Sequence, residues 1–109
     1  MKNFLIGMVA LASTGAVANG SATGKVKGYV INEAAVYVQI DSVTSNKAAC
    51  NTTNRFAFRL DQNHSNAFLS SILAAKATDS TIILTGTGSC TVSSNSETLR
   101  KICTPGVPC

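Results

Sequence analysis

Residues 55–85 read RFAFRLDQNHSNAFLSSILAAKATDSTIILT, and a change of period inside this stretch decides the fold. Over 55–60 the residues alternate. Phe56, Phe58 and Leu60 point one way and Arg55, Ala57 and Arg59 the other, as in a strand with one buried side. From Asn63 to Ala77 the apolar residues fall at Phe68, Leu69, Ile72, Leu73 and Ala75, the spacing of one helix face. Asn63 or Ser65 is suited to cap its start by accepting a free backbone N–H, and Asp79-Ser80 ends it. TIILT at 81–85 returns to β-branched strand residues and runs into the flexible Gly86-Thr87-Gly88. The stretch predicts strand, helix, strand.

On the N-terminal side, 25–31 alternates with Val26, Gly28 and Val30 on one side and Lys25, Lys27, Tyr29 and Ile31 on the other. Asn32-Glu33 is a tight turn, and 35–41 places Val36, Val38 and Ile40 opposite Tyr37, Gln39 and Asp41, which completes a hairpin with one buried face. Residues 19–23 are a polar lead-in, and 42–54 is a polar loop holding Cys50. Residues 90–94 are a short strand end or loop, 97–103 a fifth strand, and CTPGVPC at 103–109 a turn-rich tail. The order β-β-β-α-β-β is that of an OB-fold, a five-stranded barrel whose helix between strands three and four plugs one end. The chain is therefore expected to be mainly β with one helix, an OB-like small barrel. The same elements would also build an open α+β sheet, whereas the mid-chain helix disfavours a β-sandwich. There is no internal repeat and no linker, so residues 19–109 form one domain with a terminal tail.

The first 18 residues have a different character. Met1-Lys2-Asn3 is a short positive opening, FLIGMVALA at 4–12 is apolar, and Ala16-Val17-Ala18 is the small-x-small pattern that signal peptidase reads. Cleavage after Ala18 would leave Asn19 first, with cleavage after Ala22 a weaker alternative. The apolar run is about half of the roughly 20 residues a spanning helix needs. The single-lysine opening is of bacterial type, so the expected location is periplasmic or secreted. No later segment is apolar enough to span a membrane.

Cys50, Cys90, Cys103 and Cys109 all lie beyond this segment, and an even count in a small exported chain reads as two disulfides. Three pairings are possible. In an OB-type barrel the loop entering strand three approaches the end of strand four, which favours Cys50–Cys90 with Cys103–Cys109. No pair has C-x-x-C spacing and the one histidine is His64, so no metal and no cofactor are expected. The formal net charge is +4, and loss of Lys2 lowers it by one; the basic residues are dispersed.

Catalytic readings find little support. His64 lies in the polar stretch 61–66 beside Ser65, without a nucleophile elbow or a visible oxyanion hole. Glu33, Asp41, Asp61, Asp79 and Glu97 occupy no recognisable paired setting. Gly86-Thr87-Gly88 lacks the Lys-Ser/Thr of a phosphate loop, and Asn51-Thr52-Thr53 matches the glycosylation pattern only as part of an Asn/Thr-rich loop. The chain is expected not to be an enzyme.

A binding surface is the better expectation. Strand parity puts Lys25, Lys27, Tyr29, Tyr37, Gln39, Arg55 and Arg59 on the solvent side of the first three strands. Tyrosine rings offer an apolar plate and the amide and guanidinium groups offer directed hydrogen bonds, which suits a sugar. Export, two tyrosines and a modest charge argue against nucleic acid on the same face.

Ala49-Cys50-Asn51, Phe56-Ala57-Phe58, the helix AFLSSILAA at 67–75, TIILTG at 81–86 and Cys90 together resemble the central part of bacterial secreted OB-fold proteins. That group includes the B subunits of pertussis-like and subtilase-type toxins. The resemblance implies rings of five subunits that bind host glycans through a serine-centred pocket. No serine here matches that pocket, so no glycan contact is carried over, and the 103–109 tail departs from the pattern. The leading expectation is an exported, carbohydrate-binding module resembling a toxin subunit, a homo-oligomer whose partner is a glycan or a protein outside the cytoplasm. The alternative is a periplasmic inhibitor or immunity-type protein that inserts the 42–54 loop or the 103–109 tail into an enzyme.

Overall fold

The computed structural model describes residues 19–109, and the signal-peptide reading of 1–18 lies outside the described residues. Five strands and one helix occur in the expected order: β1 (Ser21–Ile31), β2 (Ala35–Ile40), β3 (Arg55–Arg59), α1 (Ser65–Thr78), β4 (Thr81–Gly86) and β5 (Glu97–Cys103). The strands close into a barrel in the order β1-β2-β3-β5-β4, with β4 returning to β1. Every pairing is antiparallel except β3 with β5, which run parallel. The result is an OB-like small barrel.

Alternation built it. Val36, Val38 and Ile40 of β2 are buried against Phe56 and Phe58 of β3, and Ile82, Leu84 and Leu99 complete the interior from the other side. The helix buries Ile72 and Ala75 against this core, with Phe68 set edge-on to Phe58 at 5.3 Å between ring centroids. Such a pair adds about 1 kcal/mol beyond its burial. No helix of the described residues is long and apolar enough to cross a membrane.

Four local expectations are corrected. The polar lead-in is not a lead-in: β1 starts at Ser21, and its first half, Ser21 to Lys25, pairs with Thr85 to Thr81 of β4 and closes the barrel. Its second half pairs with β2. Gly24 stands just before the strand changes partner, and a Cβ there would fall on Asp41 Oδ1 and 2.9 Å from Ile40 Cγ2.

The second correction concerns side-chain parity. A bulge between Val26 and Gly28 shifts the register, so that Gly28 opposes Gln39, Tyr29 opposes Val38 and Val30 opposes Tyr37. Val30, expected on the buried side, is 52% exposed and shares the outer face with Tyr37. Tyr29 and Ile31 move to the Val38 and Val36 side.

Third, neither Asn63 nor Ser65 caps α1. His64 takes the N-cap position without a side-chain hydrogen bond, and the buried Ser65 hydroxyl donates at 2.8 Å to the Leu60 or Gln62 carbonyl. Asp79 ends the helix in the left-handed conformation, φ 54°. Fourth, Ala57 lies on the outer face between Tyr37 and Thr98 yet has no accessible surface.

Both disulfides form in the favoured pairing, with Cα–Cα distances of 6.2 Å for Cys50–Cys90 and 6.0 Å for Cys103–Cys109. The first ties the 42–54 loop to the segment between β4 and β5. Beside it lies a feature the spacing did not suggest. Glu97 is fully buried, and its carboxylate accepts backbone N–H bonds from Gly20 (2.8 Å), Ala48 (3.2 Å) and Gly88 (3.0 Å). One side chain thereby joins the start of β1, the 42–54 loop and the turn after β4. Gly86 permits this approach, since a Cβ there would lie 2.7 Å from Glu97 Cγ.

Candidate ligand-binding face

Two rows of residues cross the outside of β1, β2 and β3. One runs Gly28, Gln39, Arg55 and the other Val30, Tyr37, Ala57, as the pairing register dictates. The bulge adds Lys27 beside the first row. Gly28 contributes no side chain, and a Cβ built there meets nothing within 4 Å. The outcome is an open depression of about 390 Å³, bordered by Lys27, Tyr29, Val30, Tyr37, Gln39 and Arg55 around Gly28.

Arg55 is held in place from two sides. Its guanidinium carbon sits 4.7 Å from the centroid of the Tyr37 ring, and Nε donates to Thr53 Oγ1 at 3.2 Å. Thr53 in turn donates to the Asn95 carbonyl at 2.9 Å. An arginine stacked on a partly exposed ring contributes roughly 0.5–1 kcal/mol and keeps its fork of donors fixed in direction. Tyr37 and Val30 supply apolar surface, while Gln39, Arg55 and Lys27 supply donors, with one acceptor from the amide. None of the bordering side chains is a carboxylate.

The seven residues expected on one face do not all gather. Lys27, Tyr29, Tyr37, Gln39 and Arg55 do. Tyr29 reaches the depression from a register position opposite Val38, whereas Tyr37 lies opposite Val30. Lys25 lies across from Thr81 of β4 and pairs with Asp79 at 3.0 Å. Arg59, opposite Ala35, grips Asp61 through Nε (2.9 Å) and Nη2 (2.8 Å). That hydrogen bonding and charge hold the Asp61 carboxyl below its ordinary range and raise Arg59 further. Because the shift of Asp61 is downward, the pair persists at neutral pH and is lost as pH falls through the folded-state value. Sequence reasoning missed Gly28 and Val30. Plain alternation sets both on the buried side, and only the bulge brings them out.

The loops are braced. Asn54, left-handed at φ 60°, accepts from Thr44 N at 3.0 Å and donates to the Ser42 carbonyl at 3.0 Å, which closes the 42–54 loop on itself. Asn51 of the glycosylation pattern is 1% exposed, so its amide is not presented for modification. His64 packs its ring 4.7 Å from that of Phe68. Among the described residues no group of three or more His, Cys, Asp or Glu is arranged to hold a metal ion. No family model matches this chain, and no curated protein or solved structure matches it either.

Proposed function

We propose that the chain is an exported, non-catalytic binding module that takes a glycan in the depression around Gly28. The observation that carries this reading is the convergence of a fixed Tyr37–Arg55 pair, Gln39 and Lys27 on one open concavity of the outer sheet. The β2–β3 face is where OB barrels commonly accept extended ligands, oligosaccharides among them. Loss of the Tyr37 ring or filling of the depression is expected to weaken glycan affinity at least tenfold, about 1.4 kcal/mol. Calorimetric titration of Tyr37→Ala and Gly28→Leu measures this. Gly28→Leu is the cleaner variant, because the space above Gly28 is empty. Lys25→Ala, on the far side of β1, serves as the control and should bind as wild type. Wild-type affinity in both face variants would overturn the reading.

The same proposal includes export with removal of 1–18, which suits a chain with two disulfides. The residues just past Ala18 support that junction. Asn19 is exposed, but Gly20 N–H is bonded to Glu97, Ser21 pairs with Thr85 and Ser45, and Ala22 is buried in the core. Cutting after Ala22 would remove part of the strand that closes the barrel. The intact mass of the exported protein should correspond to residues 19–109 with all four cysteines oxidised. A mass beginning at Thr23 would contradict the assignment.

A second reading rests on one observation. The tail closed by Cys103–Cys109 presents Val107 at 60% exposure on a short loop with two prolines, a shape suited to insertion into an enzyme cleft. On that reading the chain is a periplasmic inhibitor, and Val107→Asp rather than Tyr37→Ala abolishes binding.

A further inference from the structure

On the other side of β3 from the glycan face lies a second cavity. The parallel contact between β3 and β5 consists of Phe56 with Glu97 and Ala57 with Thr98. Past these pairs the strands diverge, and the gap is a cavity of about 360 Å³ with Phe58 and Leu99, both almost fully buried, at its base. Its walls are basic. Two of the chain's three arginines, Arg59 from β3 and Arg100 from β5, line it together with His64 and Gln62. Thr87, Thr91 and Thr98 add hydroxyl groups to the lining.

No carboxylate borders this cavity. Asp61 holds Arg59 by Nε and Nη2 and borders a separate depression beside Glu33, which leaves Nη1 of Arg59 outside that pair. Arg100 is steadied by Asn19: with its amide turned so that donors meet acceptors, Asn19 accepts from Arg100 Nη1 at 3.0 Å and donates to the Thr87 carbonyl at 3.1 Å. Two oriented guanidinium groups, each with donors to spare, match the planar or tetrahedral oxygens of an anion. The apolar base and the hydroxyl groups suit the body that carries it.

We infer that the β3–β5 cavity is a binding site for an oxyanion, a carboxylate or phosphate group borne by a compact ligand. The site is independent of the glycan face and stands without it.

The test is titration of the isotope-labelled exported protein with inorganic phosphate, glucuronate and glucose at constant ionic strength, with amide chemical shifts as the readout. Phosphate or glucuronate is expected to give saturable shifts centred on Arg59, His64, Leu99 and Arg100, while glucose leaves those signals unmoved. Tighter binding of glucuronate assigns the anion to a sugar acid, and tighter binding of phosphate assigns it to a phosphoryl group. Arg100→Gln, at an exposed position, should weaken either at least tenfold, and Arg59→Gln likewise. Absence of saturable shifts with both anions, or affinity untouched by Arg100→Gln, would overturn the inference.

Discussion

Removing the Cys50–Cys90 bridge, by Cys50→Ala with Cys90→Ala, is expected to lower the melting temperature by roughly 20 °C. The bridge spans 40 residues. In the loop-entropy model such a closure restricts the unfolded chain by about 4 kcal/mol, and in a domain of this size each kcal/mol moves the midpoint by about 4–8 °C. The location adds to the effect, because the bridge joins two of the three segments whose amides reach Glu97. Opening Cys103–Cys109 by the same substitutions should cost far less, since residues 104–109 are exposed and add little to the core. Thermal unfolding of the two double variants beside wild type checks this. Equal shifts in the two variants, or none in the first, would show that the long bridge does not brace the barrel.

Glu97→Ala is expected to destabilise the fold by about 3–5 kcal/mol. Burying a backbone N–H without a partner costs roughly 1–3 kcal/mol, and this substitution leaves those of Gly20, Ala48 and Gly88 without their acceptor. Water entering the vacated space recovers part of that cost. Glu97→Gln keeps one acceptor oxygen but turns an NH2 group toward amide donors, so it falls between alanine and wild type. Urea denaturation of both variants measures the series, and a Glu97→Ala protein as stable as wild type would contradict the structural role given to this carboxylate. The effect should also be felt at the barrel closure: amide exchange at Ser21 to Lys25 should accelerate in Glu97→Gln before it does at the β2–β3 pairing.

The sequence made the barrel legible where side chains are large and alternate. Val36, Val38 and Ile40 against Phe56 and Phe58 mark the β2–β3 half, and the switch to helical spacing at Phe68, Leu69 and Ile72 places α1 between β3 and β4. Strand order then implies the Cys50–Cys90 pairing. Ser21-Ala22-Thr23-Gly24 hid the start of β1, because small and polar residues carry no hydrophobic period even though Ala22 is buried. Lys27 hid the bulge: KVKGYVI reads as alternating in one register, and only pairing with β2 shows that parity reverses after it.

That reversal reshaped the candidate face, setting Tyr29 opposite Val38 and adding Gly28 and Val30. Tyr37, Gln39 and Arg55 were legible because β2 and β3 pair without a break. Glu97 was opaque for another reason. Its partners are backbone amides 77, 49 and 9 residues away, and a residue's own type says nothing of such neighbours. The seam between β3 and β5 was equally hidden, since Arg59 and Arg100 come to one cavity only through the parallel pairing of distant strands.

Glycan binding on the β1–β2–β3 face of this barrel is tested most directly by a glycan array. The array is probed with the oxidised protein (residues 19–109), its Tyr37→Ala variant and a variant carrying Val43→Ser, an 80% exposed position in the 42–54 loop. Wild type and Val43→Ser are expected to bind a restricted set of glycans that Tyr37→Ala loses. No glycan above background, or a signal that survives Tyr37→Ala and disappears in Val43→Ser, would contradict a glycan site on this face.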